Sequence, residues 1–491
     1  MYKMTEHQMI MPDDFFLPFG GKLNKENRWV QLSHLIPWWK VEKVYAKRFE
    51  KKIKGRQAVS VRVALGALII QERLGTTDRE TVQQITENPY LQYFIGLPGF
   101  QEKAPFHHSL MTHFRKRLNK KAINQINEWI ALEAQHQDED DHHDDHDDDE
   151  PDQETMEETE SNEESSESTP NQGKLLLDAT CAPADIAYPT DLSLLNEARE
   201  KLEEMIDVLH APHQGKKMKP RTYRRKARQA YLSVAKQKQV SGRKLRKAIG
   251  QQLRFIERDL KHIARLQENS SLTLLNKQQY KQLLVINELY RQQKVMYMNR
   301  SHRIEDRIVS ISQPHVRPIV RGKAKANVEF GAKIAVSLVD GYAFMEKLDW
   351  NNYNEANTLQ QSVEAYRKRH GCYPEAVLAD KIYRNRENLR YCKERNIRLS
   401  GPKLGRPPKQ EQAEQKQLAQ RDASERNAIE SKFGEGKRRY GLGLIQARLQ
   451  QTSETVIALQ FLVMNLEHKL RLLFYSFFKW LIHGSKRPVA V

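Results

Sequence analysis

Three carboxylates stand where a carboxylate is costly to keep. The run "LLLDAT" ends its apolar stretch at Asp178, and "VLADKIY" carries Asp380 in the same place. The segment "ERNAIESKFGEGK", residues 425–437, holds Glu430 inside a basic frame of Arg426, Lys432, Lys437, Arg438 and Arg439. An unpaired charge at the end of a buried strand is unfavourable. A divalent cation would remove that cost and put the charge to use. Mg²⁺ takes oxygen ligands and keeps several waters, so two or three carboxylates suffice. Two such ions about 3.5–4 Å apart can activate a nucleophile and stabilise the leaving oxygen of a phosphodiester. The expected chemistry is therefore metal-assisted attack on a phosphodiester, with the surrounding Lys and Arg serving a polyanionic substrate.

Other acids compete for these places. Asp340 in "SLVDGY" rivals Asp380, but it equally suits a turn before Gly341. Glu435 rivals Glu430. On a helix the two point about 140° apart, so both cannot face one pair of ions. Asp185 and Asp191 follow the first strand and suit loop or cap positions. Lys381 and Asn385 stand close to the second aspartate, where Asn385 also suits a helix cap.

The composition agrees with a polyanionic partner. The chain has 491 residues and a formal net charge of +18. Residues 138–167 hold 18 acidic residues and no Lys or Arg, so the remainder carries about +36. Charge of that size, gathered in clusters, points to nucleic acid. The three cysteines, Cys181, Cys372 and Cys392, have no metal-type spacing and make a poor disulfide framework. A reducing cytoplasm is expected. No signal peptide is evident at the start. The most apolar stretch, 456–481, is interrupted by Glu467, His468, Lys469 and Arg471 and reads as a buried or partner-facing helix, with no membrane partner.

The elements that must position the acids follow from periodicity. Residues 1–135 read as a helical unit. "RQAVSVRVALGALIIQERLG" is an apolar helix ending at Gly75, Thr77 caps the next, and Ser109 is a cap candidate for "LMTHFRKRL". That last helix sets Arg115, Lys116 and Arg117 near its end, which suits a DNA-binding module. Residues 136–172 read as a disordered acidic linker. His142, His143 and His146 within it suit at most loose metal binding. Residues 173–450 alternate strands and helices, indicating an α/β domain with a mixed sheet flanked by helices. The strand candidates are "GKLLLDAT", "RIVSISQ", "AKIAVSLVDGYAF", "EAVLADKIY" and "IRLSG". A basic helical block of about 192–300 looks inserted after the first strand, "GPKLGRPPKQ" is a loop, and 451–491 is a C-terminal helical segment.

The order and spacing of four segments resemble the DDE transposases of bacterial insertion sequences, in the insertion-sequence-five-like group. The segments are "DATCAPADIAYPTDLSLLNEAR", "VRPIVRGKAKANVEFGAKIAVSLVDGY", "LADKIYRNRENLRYCKERNIRLSGPKLGRPPK" and "RNAIESKFGEGKRRYGL". The N-terminal "ALIIQERLGTTDRETVQQITENPYLQYFIGL" resembles the domain that precedes the catalytic core there. The family signature runs tyrosine, two residues, arginine, three residues, glutamate, six residues, lysine. Arg426, Glu430 and Lys437 fit it, and Ala423 stands at the tyrosine position. The resemblance implies a ribonuclease-H-like fold with Asp178, Asp380 and Glu430 as the catalytic, metal-binding triad. It implies two Mg²⁺ ions, with Mn²⁺ a possible substitute, and contacts from Arg426 and Lys437 to DNA or to the glutamate. Cleavage and joining of DNA at the element's ends, in a homo-oligomer associated with the nucleoid, would be the function. The alternatives are a catalytically inactive, domesticated DNA-binding protein and a nuclease that does not join strands.

Overall fold

The computed structural model describes residue 2 and residues 10–49, 57–140, 170–268, 270–320, 328–401 and 413–483. Seven α-helices come first among them: α1 (Arg28–His34), α2 (Trp38–Ala46), α3 (Val61–Leu74), α4 (Asp78–Glu87), α5 (Pro89–Phe94), α6 (Leu110–Arg117) and α7 (Lys120–Asp140). Helix α3 ends where the sequence predicts. Gly75 takes the left-handed conformation that only glycine adopts cheaply, with φ 67°. Thr77 caps α4 by accepting from the Glu80 N–H. Ser109 precedes α6 but makes no cap hydrogen bond. Its hydroxyl is engaged by His107 Nδ1 at 2.8 Å instead. Residues 136–140, expected in the acidic linker, continue α7, and residues 141–169 lie outside the described residues.

A mixed sheet follows. Its strands are β1 (Lys174–Pro183), β2 (Arg317–Val320), β3 (Val328–Val339), β4 (Tyr342–Asp349), β5 (Ala376–Ala379) and β6 (Arg398–Leu399). The path runs β2-β3-β1-β5-β6, with β4 also on β3. β3 is antiparallel to β1, β2 and β4, whereas β1, β5 and β6 are parallel. Between β1 and β2 come α8 (Asp191–His210), α9 (Arg224–Ala235), α10 (Gly242–Gln267) and α11 (Lys277–Met298). These helices build a core of their own from Leu195, Leu202, Ile206, Ile256 and Ile286.

One expected strand is absent. "RIVSISQ" is largely buried but forms no strand. Ile308 and Ile311 enter the core of the helical block, while Val309 enters the core under the sheet. The Gln292 side chain takes the Ile308 N–H at 2.9 Å, so no strand partner is needed there. The second strand is instead Arg317–Val320. "AKIAVSLVDGYAF" is a hairpin, β3 to β4, turning on Asp340 (φ 48°) and Gly341 (φ 82°). Two consecutive positive φ angles mark the hairpin turn whose twist matches the strands.

Helices α12 (Leu359–His370) and α13 (Arg386–Glu394) cover one face of the sheet through Leu359, Val363 and Cys392. The other face is covered by α14 (Ala413–Arg439) and α15 (Gln450–His483). The apolar stretch of α15 explains itself here. It lies between the N-terminal helices and the sheet, and Ile457, Leu462 and Leu466 join one continuous core with Leu65, Ile126 and Val336. Its polar interruptions are spent on both neighbours. Glu467 meets Arg73 at 2.5 Å, and Lys469 donates to the Ile130 carbonyl at 3.2 Å. Asn465 accepts from the Ala343 N–H at 2.9 Å, and donates to the Ala343 carbonyl at 2.8 Å and to Asn127 at 2.9 Å. The N-terminal helices therefore share their core with the sheet.

Asn465 closes the outer edge of β4 with a buried side chain. Asn465→Ala strands the buried Ala343 N–H and the Asn127 side-chain oxygen, each costing about 1–3 kcal/mol, while the Ala343 carbonyl keeps the Asn127 amide at 3.1 Å. The variant is expected to lose about 2–4 kcal/mol in urea denaturation of the full chain; an unchanged midpoint would contradict this role.

Candidate active site

The parallel ladder between β1 and β5 pairs Leu177 with Ala379. One step beyond on each strand stand Asp178 and Asp380. Paired residues share a face, and Leu177 and Ala379 both enter the core under α12 and α13. The two aspartates therefore face the opposite side, where α14 packs on β1 and β5. β5 ends at Ala379, whereas β1 runs on to Pro183, so a length of β1 edge is left open beside the aspartates. Each aspartate accepts the next backbone N–H at 2.7 Å, Asp178 from Ala179 and Asp380 from Lys381.

α14 is anchored by Ile429 and Phe433, both in the core under the sheet. Its neighbouring stripe, Arg426, Glu430, Phe433, Gly434 and Lys437, lines a cavity of about 1070 Å³ together with Asp178 and Asp380. Positions i, i+4 and i+11 fall within about 40° of each other on a helix. This is the physical sense of the arginine, glutamate and lysine spacing: one face of one helix. Arg426 meets Glu430 at 3.6 Å, and the Glu430 side chain stays 57% exposed. Glu435 points away. It pairs with Arg471 of α15 at 2.8 Å and with the buried Lys432 at 3.6 Å, so it fastens α14 to α15.

Burial raises the Asp178 carboxyl from the ordinary 3.8 to about 6, and the nearby Glu355 and Asp380 add to the rise, against the Ala179 N–H and Arg426. Acids that repel one another in a polar cavity suit a cation. The donors are carboxylate oxygens, as a hard ion such as Mg²⁺ requires. Among the described residues no three His, Cys, Asp or Glu side chains are already gathered closely enough to enclose an ion. The aspartates stand on adjacent strands and Glu430 lines the same cavity from the helix.

The remaining candidates are accounted for individually. Asp340 sits in the β3–β4 turn. Asp191 opens α8 and pairs with Arg307 at 2.6 Å. The Asp185 backbone is held by the Ile445 carbonyl. Asn385 caps α13, accepting from Asn388 N–H at 2.7 Å. Lys381 is exposed. In α6, Arg115 is bound to Asp78 and to Gln71 at 2.9 Å, Arg117 lies 4.6 Å from the Phe49 ring, and Lys116 is exposed. His142, His143 and His146 lie outside the described residues. Glu355 and Lys333 also line the cavity, and no sequence motif marks them.

Residues 377–467 match the family described as "Transposase DDE domain", and residues 18–117 match "Transposase domain (DUF772)". The chain belongs to the DDE transposases. The first match spans β5 to α15 and contains Asp380, Glu430 and the stripe on α14. The second spans α1 to α6, and the pairing is typical of the insertion-sequence-five-like group. The transposase is also 26% identical over 222 residues to "Uncharacterized protein ORF8 in nfe locus" of Rhizobium meliloti, covering 45% of this chain and 86% of that protein. No solved structure matches the chain. The DDE domain implies a ribonuclease-H-like fold and divalent-metal chemistry. Among the described residues no helix of this transposase is long and apolar enough to cross a membrane.

The raised Asp178 carboxyl has a signed consequence. Folding favours its protonated form, so this contribution to stability is complete below about pH 4 and is lost as pH rises through about 6. In chelator-treated protein, Asp178→Asn is expected to stabilise by roughly 1–3 kcal/mol at pH 7–8, with the gain gone below about pH 4. Denaturant midpoints across that range check it, and a variant less stable than wild type at pH 8 would contradict it.

Proposed function

We propose that this transposase binds the terminal inverted repeats of an insertion sequence and catalyses metal-dependent cleavage and transfer of DNA strands, as in cut-and-paste transposition. The observation that carries the reading is the common cavity of Asp178, Asp380 and Glu430, edged by Arg426 and Lys437. Asp178, Asp380 and Glu430 are the residues to hold Mg²⁺, or Mn²⁺ in its place. Two such ions, when bound, supply an activated nucleophile and a stabilised leaving oxygen. The chain supplies the rest. The sheet fixes the aspartates, and the helix presents the glutamate. Arg426 and Lys437 place positive charge where a phosphodiester enters. Arg426 also steadies Glu430, and Phe433 keeps α14 seated on the sheet.

The DNA reaches the cavity across a basic surface. In the helical block Arg224 is bound to Asp207 and Arg258 to Asp259, so these two serve the fold. Arg221, Arg225, Lys226, Arg228, Lys244 and Arg254 are exposed and suit phosphate contacts. In the N-terminal helices Lys116 is exposed for the same task, whereas Arg115, held by Asp78 and Gln71, acts through the shape of α6. An element has two ends and each chain offers one such cavity, so the active complex takes at least two copies.

The test uses full-length protein and a supercoiled plasmid carrying the element's ends. Wild type should nick at the ends and should join a pre-cleaved end to target DNA. Glu430→Gln should abolish both while DNA binding is kept. Glu435→Gln should retain both while losing roughly 1–3 kcal/mol, because it strands the buried Lys432. Binding without either reaction by wild type would favour a domesticated DNA-binding protein. Nicking without joining would favour a nuclease. An active Glu430→Gln would remove that residue from the triad.

A further inference from the structure

Glu355 opens a short 3-10 turn, Glu355–Thr358, between β4 and α12. It lines the same cavity as the three acids described above. It reaches that cavity from the α12 side of the sheet, whereas Glu430 comes from the α14 side. Its carboxylate meets Lys333 Nζ at 2.8 Å. Lys333 stands on β3 opposite Cys181 of β1, with its side chain 10% exposed. Its ammonium is fixed twice more, by the Tyr353 carbonyl at 2.8 Å and by Asn352 Oδ1 at 3.3 Å. Glu355 is thus a half-buried acid paired with a cation that is itself held in place.

A buried ion pair needs no third acid beside it. Here more are present: Asp178 and Asp380 line the same cavity as Glu355. A purely structural pair placed there would add a carboxylate to a cavity that already holds three. The charges lining the cavity sharpen the point. Asp178, Glu355, Asp380 and Glu430 oppose Lys333, Arg426 and Lys437, four acids against three bases. Without Glu355 the lining is balanced, and with it the lining favours a cation.

We propose that Glu355 is a fourth acid of the metal centre, set across the sheet edge from Glu430 and tethered by Lys333. The proposal rests on the reading of the cavity as a divalent-metal site. Glu355 would help hold the cation beside Asp178, and Lys333 would balance its charge when no cation is bound.

Direct binding of Mn²⁺ to full-length, chelator-treated protein, followed by the electron paramagnetic resonance of free Mn²⁺, tests this without any activity readout. Glu355→Gln should weaken Mn²⁺ binding about tenfold or more, and should shrink the rise in melting temperature that Mn²⁺ produces. Lys333→Met removes a competing cation and should bind Mn²⁺ at least as tightly as wild type. Glu425→Gln, whose carboxylate is bound to Lys174 and Arg421 elsewhere on α14, should match wild type. The proposal falls if Glu355→Gln binds like wild type while Asp178→Asn does not. It falls equally if Lys333→Met weakens binding as much as Glu355→Gln, since the ion pair rather than the carboxylate would then matter. If Asp178→Asn also binds like wild type, the reading of the cavity itself fails.

Discussion

The pairing of Leu177 with Ala379 across a parallel ladder is the constraint on which the site depends. It sets two aspartates on neighbouring strands, about 4.8 Å apart in the hydrogen-bonding direction, on one face of the sheet. Their charges repel, and burial makes the repulsion worse for Asp178. Everything around them answers that fact. β5 stops so that the pair opens into a cavity. α14 crosses the same face with its acid and bases on one stripe. Arg426 moderates the field of these acids.

Holding α14 in that position is work for the rest of the molecule. Ile429 and Phe433 seat it on the sheet, and Glu435 fastens it to α15 through Arg471. α15 in turn is gripped by the N-terminal helices and by the edge of β4. The glutamate nearest Glu430 in sequence thus has a separate duty. Of the basic frame around 425–437, Arg426 and Lys437 face the cavity, while Lys432 is buried and pairs with Glu435, which fastens the helix to its neighbour. Shared packing also means that a shift of the N-terminal helices disturbs α15 and, through Arg471 and Glu435, the helix that carries Glu430.

Much of this was legible in the sequence because local rules and the fold agree. An apolar run followed by an aspartate, a glycine after a helix, and an arginine-to-glutamate-to-lysine spacing each express one short-range cause. What was not legible depended on distant partners. "RIVSISQ" has a strand's composition, yet its residues divide between two cores and Gln292 replaces the sheet bond. Arg115 looks like a DNA contact until Asp78, 37 positions away, is seen to hold it. Ser109 has a cap's identity but His107 takes its hydroxyl. Glu355 sits in a polar loop with no periodicity, and only the return of β3 past β1 brings Lys333 and the cavity to it.

The central claim is that Asp178, Asp380 and Glu430 surround one divalent-metal site. Replacing the native ion with Fe²⁺ and generating hydroxyl radicals at it cuts the nearest polypeptide, and mass spectrometry of the fragments locates the cuts. The account predicts cleavage clustered around residues 178, 380 and 430, suppressed by excess Mg²⁺. Cuts centred on Asp340 or Glu435, or cuts unaffected by Mg²⁺, would contradict it.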